Sequence, residues 1–179
     1  MTRQQSLHHF NVQALAESGK PLIESTPLLK LERLALESIG LQPDLMVNWQ
    51  AKAELRTGAA GQTDSWLHLD AATSVPMTCQ RCMAAVQTPV QVAQWYRFVA
   101  TEDIAMAQDD ASEEDLLVMV PQFDLVGLLE DELLMALPLV PMHEECPALP
   151  AFSAGVIDVP DDTLKKPNPF AALAQLKKK

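Results

Sequence analysis

The chain is 179 residues long, 48% of them hydrophobic, and carries a formal net charge of −11 at pH 7. That apolar share supports one domain with a real core and excludes wholesale disorder, and no apolar run is long enough to span a membrane. The charge is unevenly placed: residues 98–164 hold sixteen acids and no lysine or arginine, whereas the last fifteen residues carry five lysines and no acid.

In chain order, residues 1–40 read as a helical or loop-like segment interrupted by Pro21 and Pro27. Within it Leu28, Leu31, Leu34 and Ala35 share one helical face, and Gly40 closes the turn. The period then changes to two. Leu45, Val47, Trp49, Ala51, Ala53 and Leu55 alternate with Met46, Asn48, Gln50, Lys52, Glu54 and Arg56, which is a half-buried strand with one wet face. Gly58-Ala-Ala-Gly61 followed by Asp64 reads as a hairpin loop. Leu67, Leu69, Ala71, Thr73 and Val75 line a second strand, and Val90, Val92, Tyr96 and Phe98 one side of a third over 86–99. Pro89 cannot donate a ladder bond and so belongs at an edge or a bulge.

Residues 102–115 read as a mobile acidic loop, and 116–120 as a short fourth strand stopped by Pro121. Asp124 is placed to cap a helix over 124–137 that buries Leu125, Leu128, Leu129 and Leu133 and turns Glu130, Asp131 and Glu132 outward. Residues 138–167 are proline-rich and irregular. The end of the chain reads as a mini-helix with Asn168 as its cap, Pro169 in its first turn, and Phe170, Leu173 and Ala174 as an apolar stripe. It is too short to be stable alone and must fold against its own domain or a partner.

The expected fold class is therefore α+β: an antiparallel β-sheet meander over 45–120, packed by the 124–137 helix and the N-terminal helical segment. Three parts are expected: the 1–40 segment, a 41–140 core domain with its acidic loop at 102–115, and a 141–179 stretch ending in the basic mini-helix.

The chemistry concentrates at the cysteines. Cys79-Gln-Arg-Cys82 falls in the turn between the second and third strands, and a two-residue spacer lets both sulfurs converge on one metal ion. His143-Glu-Glu-Cys146 supplies a third sulfur and an imidazole, so Cys79, Cys82, His143 and Cys146 are candidate ligands of a tetrahedral zinc ion. A redox dithiol and a plain turn with Arg81 solvated are the competing readings. A redox dithiol normally opens a helix, whereas this motif joins two strands. His8 and His9 read as surface residues, and His68 as a surface histidine on a polar strand face between Trp66 and Asp70. No phosphate-binding glycine loop, nucleophile elbow or HExxH motif is present in the sequence. The N-terminal nine residues lack an apolar signal core, and three cysteines cannot all pair with one another, which points to the cytoplasm.

Cys79-Gln-Arg-Cys82, the run from Leu128-Leu-Glu-Asp-Glu to Pro138, Val140-Pro-Met-His143 with Cys146, and Lys166-Pro-Asn-Pro-Phe-Ala-Ala-Leu173 occur in that order. Together they resemble the bacterial YceD, or DUF177, family of large ribosomal RNA subunit accumulation proteins, from residue 79 to the C-terminus. The resemblance implies a non-enzymatic role in the synthesis, processing or stability of 23S ribosomal RNA. Some members of that family have a fuller cysteine set near the position of Cys146. The resemblance transfers no catalytic residue.

A middle with sixteen unopposed acids repels phosphate, so it disfavours DNA and broad coating of RNA and suits a basic ribosomal protein or assembly factor. Glu130, Asp131 and Glu132, with Asn168, Pro169 and Phe170, are the candidate partner-binding residues. The terminal lysines offer a local contact to 23S ribosomal RNA. The alternatives are a zinc-stabilised interaction module without a ribosomal role, and a metal-dependent RNA-processing enzyme using carboxylates around Mg²⁺.

Overall fold

The structure, a computed structural model, describes residues 7–57 and 61–146. The chain divides in two, residues 1–148 and residues 149–179. The second, with the expected mini-helix of Asn168, Pro169 and Phe170, lies outside the described residues.

Helix α1 covers Val12–Ser18; the Asn11 side chain accepts from Ala14 N, and Gly19 closes it at φ 63°. Strand β1 (Leu22–Pro27) follows, where the sequence reading expects helix or loop. A 3₁₀ turn at Leu28–Lys30 leads into helix α2 (Glu32–Leu36), and Leu28, Leu31 and Leu34 are fully buried as their spacing requires. Three long strands come next: β2 (Met46–Thr57), β3 (Thr63–Thr78) and β4 (Ala85–Val99). Helix α3 (Glu102–Gln108) and a 3₁₀ turn at Asp109–Ala111 precede β5 (Asp115–Val118), and helix α4 spans Leu125–Met135.

The sheet order is β1-β2-β3-β4-β5. The first three pairings are antiparallel and the last, β4 with β5, is parallel. The fold is thus α+β around a mixed five-stranded sheet, not a pure antiparallel meander. The parallel pairing also explains a second departure. Joining two parallel strands needs a crossover connection, commonly helical, and residues 102–108 supply it. The expected acidic loop therefore begins as α3, capped by the Thr101 side chain on Ile104 N and started by Glu102 and Asp103, which favour a helix N-terminus.

The inward rows of the sheet agree with the alternation in sequence. Val47, Trp49, Ala51 and Ala53 of β2 and Leu67, Leu69, Ala71 and Val75 of β3 are buried, and Leu125, Leu129 and Leu133 of α4 join the same core. Leu55, at the far end of its row, is 46% exposed. Pro89 sits opposite Ser74 on the part of β4 that β5 does not reach, so on that open side of β4 a missing N–H leaves no ladder bond unmade. Among the described residues no helix is long and apolar enough to cross a membrane.

Candidate metal centre

β3 ends at Thr78 and β4 begins at Ala85, so Cys79 and Cys82 lie on the connecting turn. Cys79 N donates to Ala84 O at 2.9 Å and Met83 N to Cys79 O at 2.9 Å, which folds the turn tightly enough to face both sulfurs the same way. Met83 takes φ 61° to complete it, a left-handed conformation that a non-glycine residue seldom adopts.

The segment after α4 returns to this turn. Gln80 N donates to Pro141 O at 2.9 Å, and Arg81 Nη2 donates to the carbonyls of His143 and Glu144 at 2.8 and 3.1 Å. These bonds bring His143 and Cys146 onto the turn across more than sixty residues of sequence. The ligand atoms of Cys79, Cys82, His143 and Cys146 all lie within 4.8 Å of one another, near enough to hold a metal ion. Cys79 Sγ and Cys146 Sγ are 3.8 Å apart, and Cys82 Sγ is 3.5 Å from His143 Nδ1.

The imidazole is oriented for ligation. His143 Nε2 is 3.0 Å from Ala85 O. A carbonyl only accepts, so Nε2 carries the proton and Nδ1 turns its lone pair toward the sulfurs. Arg81, exposed in sequence terms as a turn residue, is engaged here: its Nε donates to Cys146 Sγ at 2.9 Å. It is the residue the motif reading misses, and its place inside Cys79-Gln-Arg-Cys82 is the only sequence signal for it.

The electrostatics favour a thiolate at Cys79 and disfavour one at Cys82. Burial pushes the Cys79 thiol up, but backbone N–H groups of His143, Cys82 and Arg81, with the His143 side chain, outweigh it and lower the pKa to about 5. At Cys82 the Ala84 N–H favours the thiolate, yet burial and the Cys146 and Cys79 sulfurs prevail and the pKa is raised. The Arg81 pKa is raised, chiefly by its bond to Cys146. Neighbouring sulfurs that resist joint ionisation are what a cation at their centre would stabilise.

The other candidate residues are separated from this group. Glu130 is only 8% exposed, which corrects its expected outward position. Its Oε1 accepts from the backbone N–H of Arg33 at 2.7 Å and of Leu34 at 3.1 Å, and its Oε2 from Arg33 Nε at 3.0 Å. Asp131 is exposed and pairs with Arg33 Nη1, and Glu132 is half-buried. Glu144 and Glu145 are exposed beside the centre. On the open face of the sheet, the Arg56 guanidinium lies 4.2 Å from the ring centroids of both Trp66 and Trp95, and His68 packs on Trp95 at 4.7 Å.

A mixed-sheet α+β protein whose Cys3His group joins a hairpin turn to the segment after α4 is the class that this fold and site define. A family model described as Large ribosomal RNA subunit accumulation protein YceD matches residues 67–177, a span that includes all four clustered residues, and the chain belongs to that family. The Large ribosomal RNA subunit accumulation protein YceD of Haemophilus influenzae is 40% identical over 108 residues, covering 59% of this chain and 61% of that relative. No solved structure matches the chain.

Proposed function

We propose that this protein is a non-enzymatic cytoplasmic factor that supports the synthesis, processing or stability of 23S ribosomal RNA, working through contacts with basic proteins of the large subunit or its assembly. The observation that carries the reading is the family match over residues 67–177, whose description names accumulation of large ribosomal RNA. The charge supports the protein-contact part. The described acids of 102–115 are displayed along α3 and the turn after it, where Glu102, Asp103, Asp109 and Asp110 are exposed, and this surface attracts cations rather than phosphate.

We further propose that Cys79, Cys82, His143 and Cys146 hold a structural zinc ion. Two sulfurs about 2.3 Å from a tetrahedral ion stand about 3.8 Å apart, whereas a disulfide would bring them to about 2.0 Å. The Cys79–Cys146 distance of 3.8 Å fits the former. With all four protein ligands assigned, the ion would supply cohesion and no open position for chemistry. Three thiolates and a divalent cation leave one net negative charge, which the Arg81 guanidinium faces through Cys146.

The test is depletion of the protein in cells, with the ratio of large- to small-subunit ribosomal RNA measured and precursor ends mapped. A selective fall in the large-subunit species is expected. An unchanged ratio with normal ends would sink the ribosomal reading and leave a zinc-stabilised interaction module.

A further inference from the structure

The strap of residues 138–146 that meets the β3–β4 turn also forms one wall of a groove. The groove measures about 490 Å³, and its lining mixes the apolar Met77, Leu134, Leu137, Pro138, Leu139 and Pro141 with the polar Thr78 and Gln80. Leu139 in the lining is 100% exposed, and Leu36, Met135 and Met142, each next to a lining residue in sequence, are 84%, 71% and 53% exposed. Isolated exposed hydrophobics are ordinary, but a cluster around a groove marks a contact surface, and methionines let such a surface adapt its shape.

The charge around the groove has one sign. Glu37 is the charged residue in its lining, and exposed Glu144 and Glu145 follow Pro141 on the same strap. No lysine or arginine lines it, and Arg81 in the neighbouring turn donates to Cys146 and to the strap carbonyls instead. A groove that sets apolar side chains beside Thr78, Gln80 and an acidic Glu37 is complementary to an amphipathic helix whose polar side is basic.

We propose that this groove seats an amphipathic helix of a basic protein, with its apolar stripe against Leu134, Leu137 and Leu139 and its lysines and arginines toward Glu37, Glu144 and Glu145. The Cys3His group gains a role in this arrangement, because the strap it holds is the groove wall. The inference rests on the protein-contact reading of the function for the partner's biology; the groove's preference is measured without it.

The test titrates labelled synthetic helices into the full-length protein and follows fluorescence anisotropy. Three probes are used: an amphipathic leucine–lysine helix, a scrambled peptide of the same composition, and a leucine–glutamate helix. The leucine–lysine helix should bind about tenfold or more tighter than either control. Leu139→Asp should weaken it about tenfold. Leu139 is fully exposed, so this change spares the fold, and its added negative charge would strengthen any binding that is merely electrostatic.

Equal affinity for the scrambled peptide, or binding that Leu139→Asp leaves intact, overturns the proposal. So does self-association in sedimentation velocity that Leu139→Asp abolishes, since the groove would then belong to a second copy. If depletion leaves ribosomal RNA unchanged while the leucine–lysine helix still binds, the groove stands and the ribosomal reading falls. If depletion lowers the large-subunit RNA and no peptide binds selectively, the groove alone is refuted.

Discussion

Tyr96 is the chain's single tyrosine and one of its most deeply buried side chains, at 1% exposure. Burial is the main reason that its pKa is raised, and the Glu132 and Asp115 carboxylates push in the same direction. The consequence for stability has a definite sign. In the unfolded chain a tyrosine ionises near pH 10, whereas in the folded protein it stays neutral beyond that. Above about pH 10 the unfolded state therefore binds fewer protons than the folded one, and stability falls as pH rises. Because no other tyrosine contributes, phenolate absorbance reports this residue alone. Alkaline titration should show the phenolate appearing together with the loss of circular dichroism, and Tyr96→Phe should flatten the alkaline limb of the stability curve. A phenolate that forms while the fold persists would contradict the assignment. The inward position of Tyr96 was legible from the period-two pattern of β4, but the nearness of Glu132 was not, since it depends on how α4 lies against the sheet.

Helix α2 shows how an element can depend on a residue far away in sequence. Its N-cap position is Leu31, whose side chain makes no capping bond, and its first backbone N–H groups are left for an acceptor elsewhere in the chain to satisfy. Glu130 of α4 does this, accepting from Arg33 N and Leu34 N while also pairing with Arg33 Nε. Removing the carboxylate strands two N–H groups, one of them buried, and takes from Arg33 one of its two carboxylate partners. We expect Glu130→Ala to cost about 2–3 kcal/mol, a fall in Tm of roughly 5–10 °C. Arg33→Ala should cost less, because both backbone bonds survive and the lost pairs are partly solvated. Equal losses in thermal denaturation would show that the ion pair, not the cap, is what matters. The run Glu130-Asp131-Glu132 gave no sign of this, since acids on a helix are usually solvated. Strand β1 was hidden for a related reason: it turns Glu24 and Thr26 inward and Ile23 outward, with Ile23 68% exposed, so it lacks the alternation that revealed β2 and β3. Thr26 is tolerated inside because its hydroxyl accepts from Trp49 Nε1 at 3.0 Å. By contrast, α3 had a readable start in Thr101, Glu102 and Asp103, and what concealed it was the weight of charge around it.

At the scale of the molecule, the Cys3His group joins two parts of the chain that reach it by different routes. The spacing in Cys79-Gln-Arg-Cys82 and His143-Glu-Glu-Cys146 was legible as two half-sites, but their convergence depends on backbone bonds such as Gln80 N to Pro141 O, which no side-chain pattern encodes. Cys79 belongs to the core of the sheet and α4, with Cys82 and Cys146 packed against it, but that core extends well beyond the turn, with Leu67, Leu69, Leu125 and Leu129 at 0% exposure. A metal at the turn should therefore hold the strap in place without being needed to form the sheet. If free zinc stands near a thousandfold above its Kd, the ion adds about 4 kcal/mol, and chelation should lower Tm by roughly 8–16 °C. The loss should be local below that transition. Hydrogen exchange should quicken at the Gln80 amide, and protease should cut within 138–146, while amides in the middle of β3 stay protected. Cys146→Ser should reproduce this pattern and lower the zinc content measured by mass spectrometry. Global unfolding on chelation would mean that the ion organises the whole domain, and unchanged Gln80 exchange would mean that the strap is held by its hydrogen bonds alone.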